Sequence, residues 1–326
     1  MMVRSDVKGV RVFPQHADLS DLAIIVVTYG SPDLLNEHLT RTAAEVPEAD
    51  VVIVDNYHDA DSRRGIRSIA DQLGWGLIEN ETNIGFGAAV DIGVGRAHDR
   101  GASWFMILNP DASIGRSSVR ALLDAASSAP LTLASATLLR TDGSVWFDGA
   151  DLYLSDGSTG ATRNRPASVA GDQVAEWLTG ACLVTGWDLW ERVGGFGDAF
   201  FLYWEDIDLS FRVRALGGTL IVVPDAIAVH DVGGTTQTRG ARAKSEVYYY
   251  YNVRNRLLFA ARQLDEHVAR RWLLGAAPAA WAILMRGGRR QLLRSLGPWR
   301  GAARGTWDGV RIARRELRLR RRLNRE

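Results

Sequence analysis

One cysteine, Cys182, stands in 326 residues. An internal disulfide is therefore excluded, and a single thiol fits a reducing compartment. Lysine is almost missing as well: Lys8 and Lys244 are the only two, so arginine is the working cation. No apolar run reaches the roughly 20 residues that a membrane-crossing helix needs. The best candidate, Trp272 to Met285 (WLLGAAPAAWAILM), contains Pro278 and is followed by Arg286. It reads as a helix lying in a membrane interface or packed on the core. The N-terminus lacks the basic, apolar, small-residue order of a secretory leader, and residues 1–20 read as a polar arm. No GxGxxG follows the first strand and no GK[ST] follows a glycine loop, which disfavours a dinucleotide-binding dehydrogenase and a Walker-type nucleotidase. Internal repeats and low-complexity linkers are absent too.

What is present is an apolar fraction of 46%, enough for a sizeable core, with 24% charged residues. The net charge of +1 conceals an asymmetry. From Arg286 to Glu326 there are 14 arginines against three acids, a net of +11, which leaves −10 for the rest. A basic tail on an acidic body points to a polyanionic partner. Trp272, Trp281, Trp299 and Trp307 are interleaved with these arginines, as on amphipathic helices. That pattern fits an anionic membrane surface, or an arginine-rich bundle packed on the body. No nucleic-acid motif accompanies it, so a nucleic-acid partner is not expected.

The first half alternates strand and helix. Leu22 to Thr28 (LAIIVVT), Val51 to Asp55, Trp75 to Glu79 and Trp104 to Leu108 (WFMIL) read as strands, buried ones where the apolar run is continuous. Between them lie a helix with Ser31 as N-cap and Pro32 at its first position, a helix from Ser62 to Leu73, and one from Phe86 to Arg100. This order predicts a parallel sheet with right-handed crossovers, whose ligands sit beyond the carboxyl ends of the strands. Residues 131–177 read as hairpins, Trp204 to Leu216 as a helix, Thr219 to Val223 as a strand, and Ala241 onward as helical.

Four polar clusters fall where strands run out. Thr28-Tyr29-Gly30 ends the first; alone it is an ordinary turn. Asp55-Asn56 ends the second, and a carboxylate there can accept from a ribose hydroxyl or a base imide. Asn83-Ile84-Gly85-Phe86-Gly87 opens a helix, where glycines admit close backbone approach and the helix N-terminus favours a diphosphate. Asn109-Pro110-Asp111 follows WFMIL. It is common turn chemistry, and equally a set of oxygen ligands for Mg2+ or Mn2+. Later, Phe201 to Leu209 (FLYWEDIDL) crowds aromatics against acids at a helix start. Such surroundings raise a carboxyl pKa, as a general base requires, and aromatic faces suit sugar rings. Asp208 and Arg212, four apart, read as a structural pair. His230, after an apolar run, is a further metal-ligand candidate beside Asp111.

The set IIVVTYG, VIVDN, NIGFGAA, LNPDA, LTGACLV, GGFGDAFFLYWEDIDLSFR and PDAIAVH, in this order from Leu22 to His230, resembles family 2 glycosyltransferases of the rhamnosyltransferase-like branch. YYYYNVRNRLLFAAR, Tyr248 to Arg262, extends the resemblance. It implies a GT-A fold, an α/β nucleotide-diphospho-sugar transferase with a Rossmann-like, mostly parallel sheet, followed by a helical C-terminal extension. It also implies inverting transfer in one displacement. Thr28, Tyr29 and Asp55 would hold the nucleoside; Asn83, Gly85 and Gly87 would line the diphosphate site. Asn109 and Asp111 would form the donor's metal-side edge, with Mg2+ or Mn2+ on Asp111 and His230. Asp206 would be the base, with Glu205 beside it, and Gly180 and Trp204 would face the acceptor or sugar. Two positions depart from the family pattern: Asn109 replaces the first acid of its DxD element, and Gly197 stands where an aspartate is usual, next to Asp198.

The organisation expected from all this is an arm at 1–20, a catalytic domain at 21–240 with a nucleotide-binding half (21–112) and an acceptor half (113–240), and a basic helical region at 241–326. The expected reaction moves a sugar from a nucleotide diphosphate, L-rhamnose from its deoxythymidine diphosphate by branch resemblance, to a lipid-linked or cell-envelope glycan. A uridine-diphosphate sugar such as a galactofuranose donor is the alternative, and a non-catalytic sugar-binding homologue is a third reading. The expected location is cytoplasmic, on the inner face of the cell membrane.

Overall fold

The computed structural model describes residues 17–231 and 244–323. Most of the expected arm, up to residue 16, and the expected domain boundary near 240 lie outside them.

The chain starts β1 (Leu22–Thr28), α1 (Pro32–Leu34), a π turn (Leu35–Leu39), α2 (Thr40–Glu45), β2 (Asp50–Asp55), α3 (Ala60–Leu73), β3 (Gly76–Glu79), α4 (Phe86–Asp99) and β4 (Trp104–Leu108). Every residue of β1 is buried, as a strand flanked by β2 and β4 and covered on both faces must be. Pro32 opens α1 as expected, but the Ser31 side chain makes no capping bond. The third helix starts earlier than expected because Asp59 caps it, accepting from the Ser62 amide at 2.8 Å.

Then follow β5 (Ala112–Ile114), α5 (Arg116–Ser127), β6 (Thr132–Leu139), β7 (Val145–Phe147), β8 (Ala150–Tyr153), β9 (Thr159–Ala161), β10 (Val174–Trp177), β11 (Cys182–Gly186), α6 (Trp187–Val193), α7 (Glu205–Ala215) and β12 (Thr219–His230). The main sheet has the order β3-β2-β1-β4-β11-β6-β12-β5, with β7 on β6. The β1–β2, β1–β4, β2–β3 and β6–β12 pairs are parallel; β11 runs against both β4 and β6. A small antiparallel sheet, β10-β8-β9, stands apart. The strand expected at Thr219 to Val223 continues to His230. Pro224 interrupts the apolar pattern, and a register shift between Val223 and Ile227 absorbs it.

The C-terminal part is α8 (Glu246–Gln263), α9 (Glu266–Leu274), α10 (Ala276–Met285), α11 (Arg289–Arg294) and α12 (Gly297–Leu323). Helix α12 lies on α8. A Cβ on Gly301 or Gly305 would come within 2.5 Å of the Glu246 or Tyr250 carbonyl oxygen, so glycines let the two backbones meet. The tail therefore packs on the body while its basic face stays outside. No helix of the described residues is long and apolar enough to cross a membrane.

Candidate active site

The parallel β1–β2 and β2–β3 pairings bring the carboxyl ends of β1, β2 and β3 to one edge, with Thr28 opposite Asp55 and Asp55 opposite Glu79. Ile107 of β4 aligns with Ile25, so the chain beyond Leu108 emerges at the same edge. Thr28 is fully buried and its hydroxyl has no partner. Tyr29 is exposed, edge-on to His58 with ring centroids 4.8 Å apart. Asp55 is buried; Arg63 Nε donates to it at 2.6 Å and the Tyr57 amide at 3.1 Å.

Asn56 organises the next segment. Its amide nitrogen donates to Asn83 Oδ1 at 2.9 Å and to the Gly85 carbonyl at 3.0 Å, and its oxygen accepts from the Ile84 amide at 3.1 Å. Gly85 (φ +95°) then turns the chain so that the Phe86 amide donates to the Phe201 carbonyl at 2.9 Å. The β3–α4 turn is thus joined to the segment that leads into α7.

After β4, the Ala112 amide donates back to the Asn109 carbonyl at 3.1 Å, so Asn109-Pro110-Asp111 is indeed a tight turn. It also presents side chains. Asp111 Oδ1 lies 3.0 Å from His230 Nε2, and both residues are buried. The Asn109 amide lies 3.5 Å from the same nitrogen. Trp146 stands edge-on to His230 with centroids 4.4 Å apart, and His230 Nδ1 has no partner.

On the other side, Tyr203 (φ +65°) and Trp204 (φ +76°) are both left-handed, an arrangement that bulky residues adopt only when held. Asn255 of α8 holds it: its amide donates to the Leu202 and Tyr203 carbonyls at 2.9 and 2.8 Å. Trp204 itself is buried against Phe259 and Trp272. Glu205 and Asp206 follow at the first turn of α7. Burial pushes the Glu205 carboxyl well above the carboxylate range, the adjacent Asp206 adds to this, and Glu205 Oε2 has no partner. Asp206 is also pushed up by burial, and the Gly180 and Ile207 amides, which donate at 3.2 and 2.8 Å, hold it back. Asp208 pairs with Arg212 at 2.7 Å and accepts from Gln263, the structural role expected of it.

Asn109, Asp111, Gly180, Trp204, Glu205, Asp206 and His230 all line one cleft of 1350 Å³. Thr28, Tyr29, Asp55, Asn83, Gly85 and Gly87 do not line it; they belong to the sheet edge beside it, and Phe86 joins the two.

Residues 23–178 match the family model described as Glycosyl transferase family 2. The chain is 31% identical over 242 residues to the N-acetylglucosaminyl-diphospho-decaprenol L-rhamnosyltransferase of Mycobacterium tuberculosis, a match covering 66% of this chain and 77% of that protein. This chain belongs to glycosyl transferase family 2. It is a glycosyltransferase of GT-A fold. Among solved structures it is similar to the Pyrobaculum calidifontis mannosyltransferase PcManGT in complex with GDP-Man and Mn2+ (TM-score 0.53, 18% identity, 91% of this chain and 86% of that one). It is also similar to GalNAc-T7 with UDP, GalNAc and Mn2+ (TM-score 0.54, 14% identity, 74% of this chain), of which it spans half the length.

In this family 2 glycosyltransferase, no group of three His, Cys, Asp or Glu side chains fit to hold a metal occurs among the described residues. Asp111 and His230 supply two. The buried carboxylate and imidazole, 3.0 Å apart, are the residues that would hold a divalent cation, with further oxygen ligands supplied by substrate. The sequence reading missed three supports. Asn56 was visible only as a neighbour of Asp55. Asn255 lay in a segment recognised as typical but without an assigned role. Asp91 of α4 accepts from the Phe196 and Gly197 amides, both at 2.9 Å, fixing the glycine turn before α7; nothing in its local sequence marks it. Gly197 is left-handed (φ +73°), which glycine adopts freely, and Asp198 is exposed.

Proposed function

We propose that this glycosyltransferase moves a sugar, with inversion, from a nucleotide diphosphate to a hydroxyl of a polyprenyl-diphosphate-linked saccharide, and that Asp206 is the base. The observation that carries this reading is the shared cleft: Asp111 and His230 face it from the sheet edge, and Asp206 from the start of α7. Asn83, Gly85 and Gly87 would receive the donor diphosphate, and Thr28, Tyr29 and Asp55 its nucleoside. Asp111 and His230 would hold Mg2+ or Mn2+, which when bound offsets the charge growing on the leaving diphosphate.

Asp206 accepts the proton of the acceptor hydroxyl as its oxygen bonds to the anomeric carbon. The bond from that carbon to the diphosphate breaks, and the nucleoside diphosphate leaves with the electron pair. One carboxylate suffices, so no glycosyl-enzyme forms. Glu205, whose carboxyl burial pushes well above the carboxylate range, is the candidate donor to a sugar hydroxyl. Gly180 positions Asp206, and Trp204 backs the acceptor face. L-rhamnose from its deoxythymidine diphosphate is the donor we favour, supported by the similarity to the Mycobacterium rhamnosyltransferase. The experiment is a panel of nucleotide sugars with Mn2+, read by thermal shift and slow hydrolysis. Selective response to the deoxythymidine-diphosphate sugar is expected; preference for a uridine-diphosphate sugar transfers the assignment to that donor, and no response to any rejects the transferase reading.

The same reading places the enzyme peripherally on the inner membrane face. Exposed Trp281 and Trp299 stand 5.9 Å apart between centroids, with Leu293 (88% exposed) and Leu296 nearby in sequence among arginines. Apolar side chains ringed by arginine suit an anionic leaflet.

A further inference from the structure

The cleft extends past Asp206 along the C-terminal helices. Gly275, Pro278, Ala279, Ala282, Ile283 and Arg286 line it. Their spacing of three and one is that of a single helical face, so one side of α10 forms this wall. At 1.5 Å per residue the face runs roughly 16 Å. It is small-sided and apolar until Arg286.

Four cations surround it. Lys244 precedes α8, Arg256 lies in α8, Arg271 in α9, and Arg286 follows α10; all four line the cleft. The acids of the neighbouring helices are engaged elsewhere: Glu246 by Arg300 and Arg304, Glu266 by Arg270 and Arg321, and Glu316 by Arg262. Asp156, whose backbone carbonyl Arg256 binds, has a carboxylate that accepts from the amide and hydroxyl of Ser158 at 2.8 and 2.7 Å. Among the described residues none of the four cations has an ion-pair partner.

Arg256 is the telling member, because it is 3% exposed. Its guanidinium stacks over Trp272 at 4.7 Å, and its hydrogen bonds go only to the backbone carbonyls of Asp156 and Trp272. Burial pushes its pKa down to about 10, so it remains cationic at neutral pH. The Asp156 carboxylate favours its charge without forming an ion pair, and a buried cation so partly offset is costly unless a further anion arrives. These cations belong to the C-terminal helices and their flanks, whereas the donor's diphosphate is assigned to the β3–α4 turn.

We propose that this wall is a second anion site that anchors the acceptor: Lys244, Arg256, Arg271 and Arg286 take its diphosphate, and the Pro278-Ala279-Ala282-Ile283 face carries the first isoprenoid units of its lipid. This rests on the polyprenyl-linked acceptor proposed above. Charge complementarity and the apolar run beside the cations select an isoprenoid diphosphate over a hydrophilic anion.

The test uses the full chain and farnesyl diphosphate as a soluble probe, titrated with the nucleotide sugar and Mn2+ already bound. Arg271 and Arg286 are exposed, so the double variant Arg271→Ala/Arg286→Ala keeps the fold. It should raise the probe's Kd about tenfold while nucleotide-sugar binding and slow hydrolysis stay at the wild-type level. Ala282→Glu should also expel the probe yet leave inorganic pyrophosphate binding intact. Three results overturn the proposal: an unchanged Kd in the double variant, pyrophosphate binding as tightly as the probe, or displacement of the probe by phosphatidylglycerol vesicles. Failure of wild-type protein to bind any nucleotide sugar would instead remove the reading beneath it, and the proposal with it.

Discussion

The Gly180 amide donates to Asp206 Oδ2 at 3.2 Å, while the Ile207 amide donates to Oδ1 at 2.8 Å. The carboxylate is thus clamped by the loop before β11 and by its own helix, and only its remaining lone pairs face the cleft. In the proposed role of base, a carboxylate held this way needs little reorganisation when it takes a proton.

Asp206 is pushed up to about 6, chiefly by burial. A base must be ionised, so kcat should rise with pH through about 6 and level off above it. Asp206→Asn should lower kcat by about 10²–10⁴-fold with donor binding retained. The stability consequence has the opposite sign. A carboxyl whose folded pKa is raised contributes stability below its unfolded pKa and loses it as pH rises through the folded value. At pH 8 Asp206→Asn should therefore melt about 2–4 °C higher than wild type. Calorimetry alongside a pH–rate profile checks both halves; a variant that is active, or less stable at pH 8, counts against the assignment.

Burial, with Asp206 beside it, pushes the Glu205 carboxyl well above the carboxylate range. If its proton is needed, activity should fall on the alkaline side as it ionises. Glu205→Gln keeps a neutral donor, so the acid limb should stay near pH 6 while the alkaline limb moves up or disappears. Profiles of the two proteins with one donor and acceptor separate the roles.

Asp111 and His230 meet at 3.0 Å. Removing either should weaken divalent-cation activation by about tenfold or more, and chelation should silence the wild type. Mn2+ titrations of Asp111→Asn and His230→Ala, followed by turnover, give the numbers. Unchanged activation in both variants would remove the metal from this corner.

Gly85 has φ +95° and ψ 164°, a region open essentially to glycine. A Cβ there would lie 2.5 Å from the Phe201 carbonyl oxygen. Gly85→Ala should cost about 1–3 kcal/mol and raise the donor KM, because the turn would separate from Phe201. Gly95 in the same helix has no atom within 4 Å of a built Cβ. Gly95→Ala is the control, expected to be stabilising by about 0.5–1 kcal/mol. Urea melts of the pair, with donor KM, decide.

Trp281 and Trp299 should matter for membrane attachment and little for folding, since both are exposed. Trp281→Ser/Trp299→Ser should reduce flotation with anionic vesicles and leave turnover on a soluble acceptor unchanged. Point changes are the right tool: deleting α12 would uncover α8, on which its glycines sit. Equal flotation of wild type and variant would discard the membrane face.

Much of the fold was legible because its cues are local. Continuous β-branched runs announced β1 and β2, and the alternation with helices announced their parallel order. The same runs could not announce β11, which inserts antiparallel between β4 and β6 and brings Gly180 to Asp206. The strand ending in His230 looked too short because Pro224 breaks its pattern. Asn56, Asp91 and Asn255 were not assigned roles because the backbone groups they brace lie 28 or more residues away, and an amide or carboxylate that braces a distant backbone leaves no trace in its own neighbourhood.

By itself the sequence determined the strand–helix alternation, the polar clusters at the strand ends, the acid pair among aromatics and the basic tail, since each is written in the spacing of neighbouring residues. Tertiary structure alone decided that Asp111 meets His230 across 119 positions, that Tyr203 and Trp204 are held left-handed by Asn255, and that α10 closes the cleft with its small face. Those relations depend on how distant segments pack and on which backbone groups the packing leaves to be satisfied, and neither quantity is a property of any short stretch of chain.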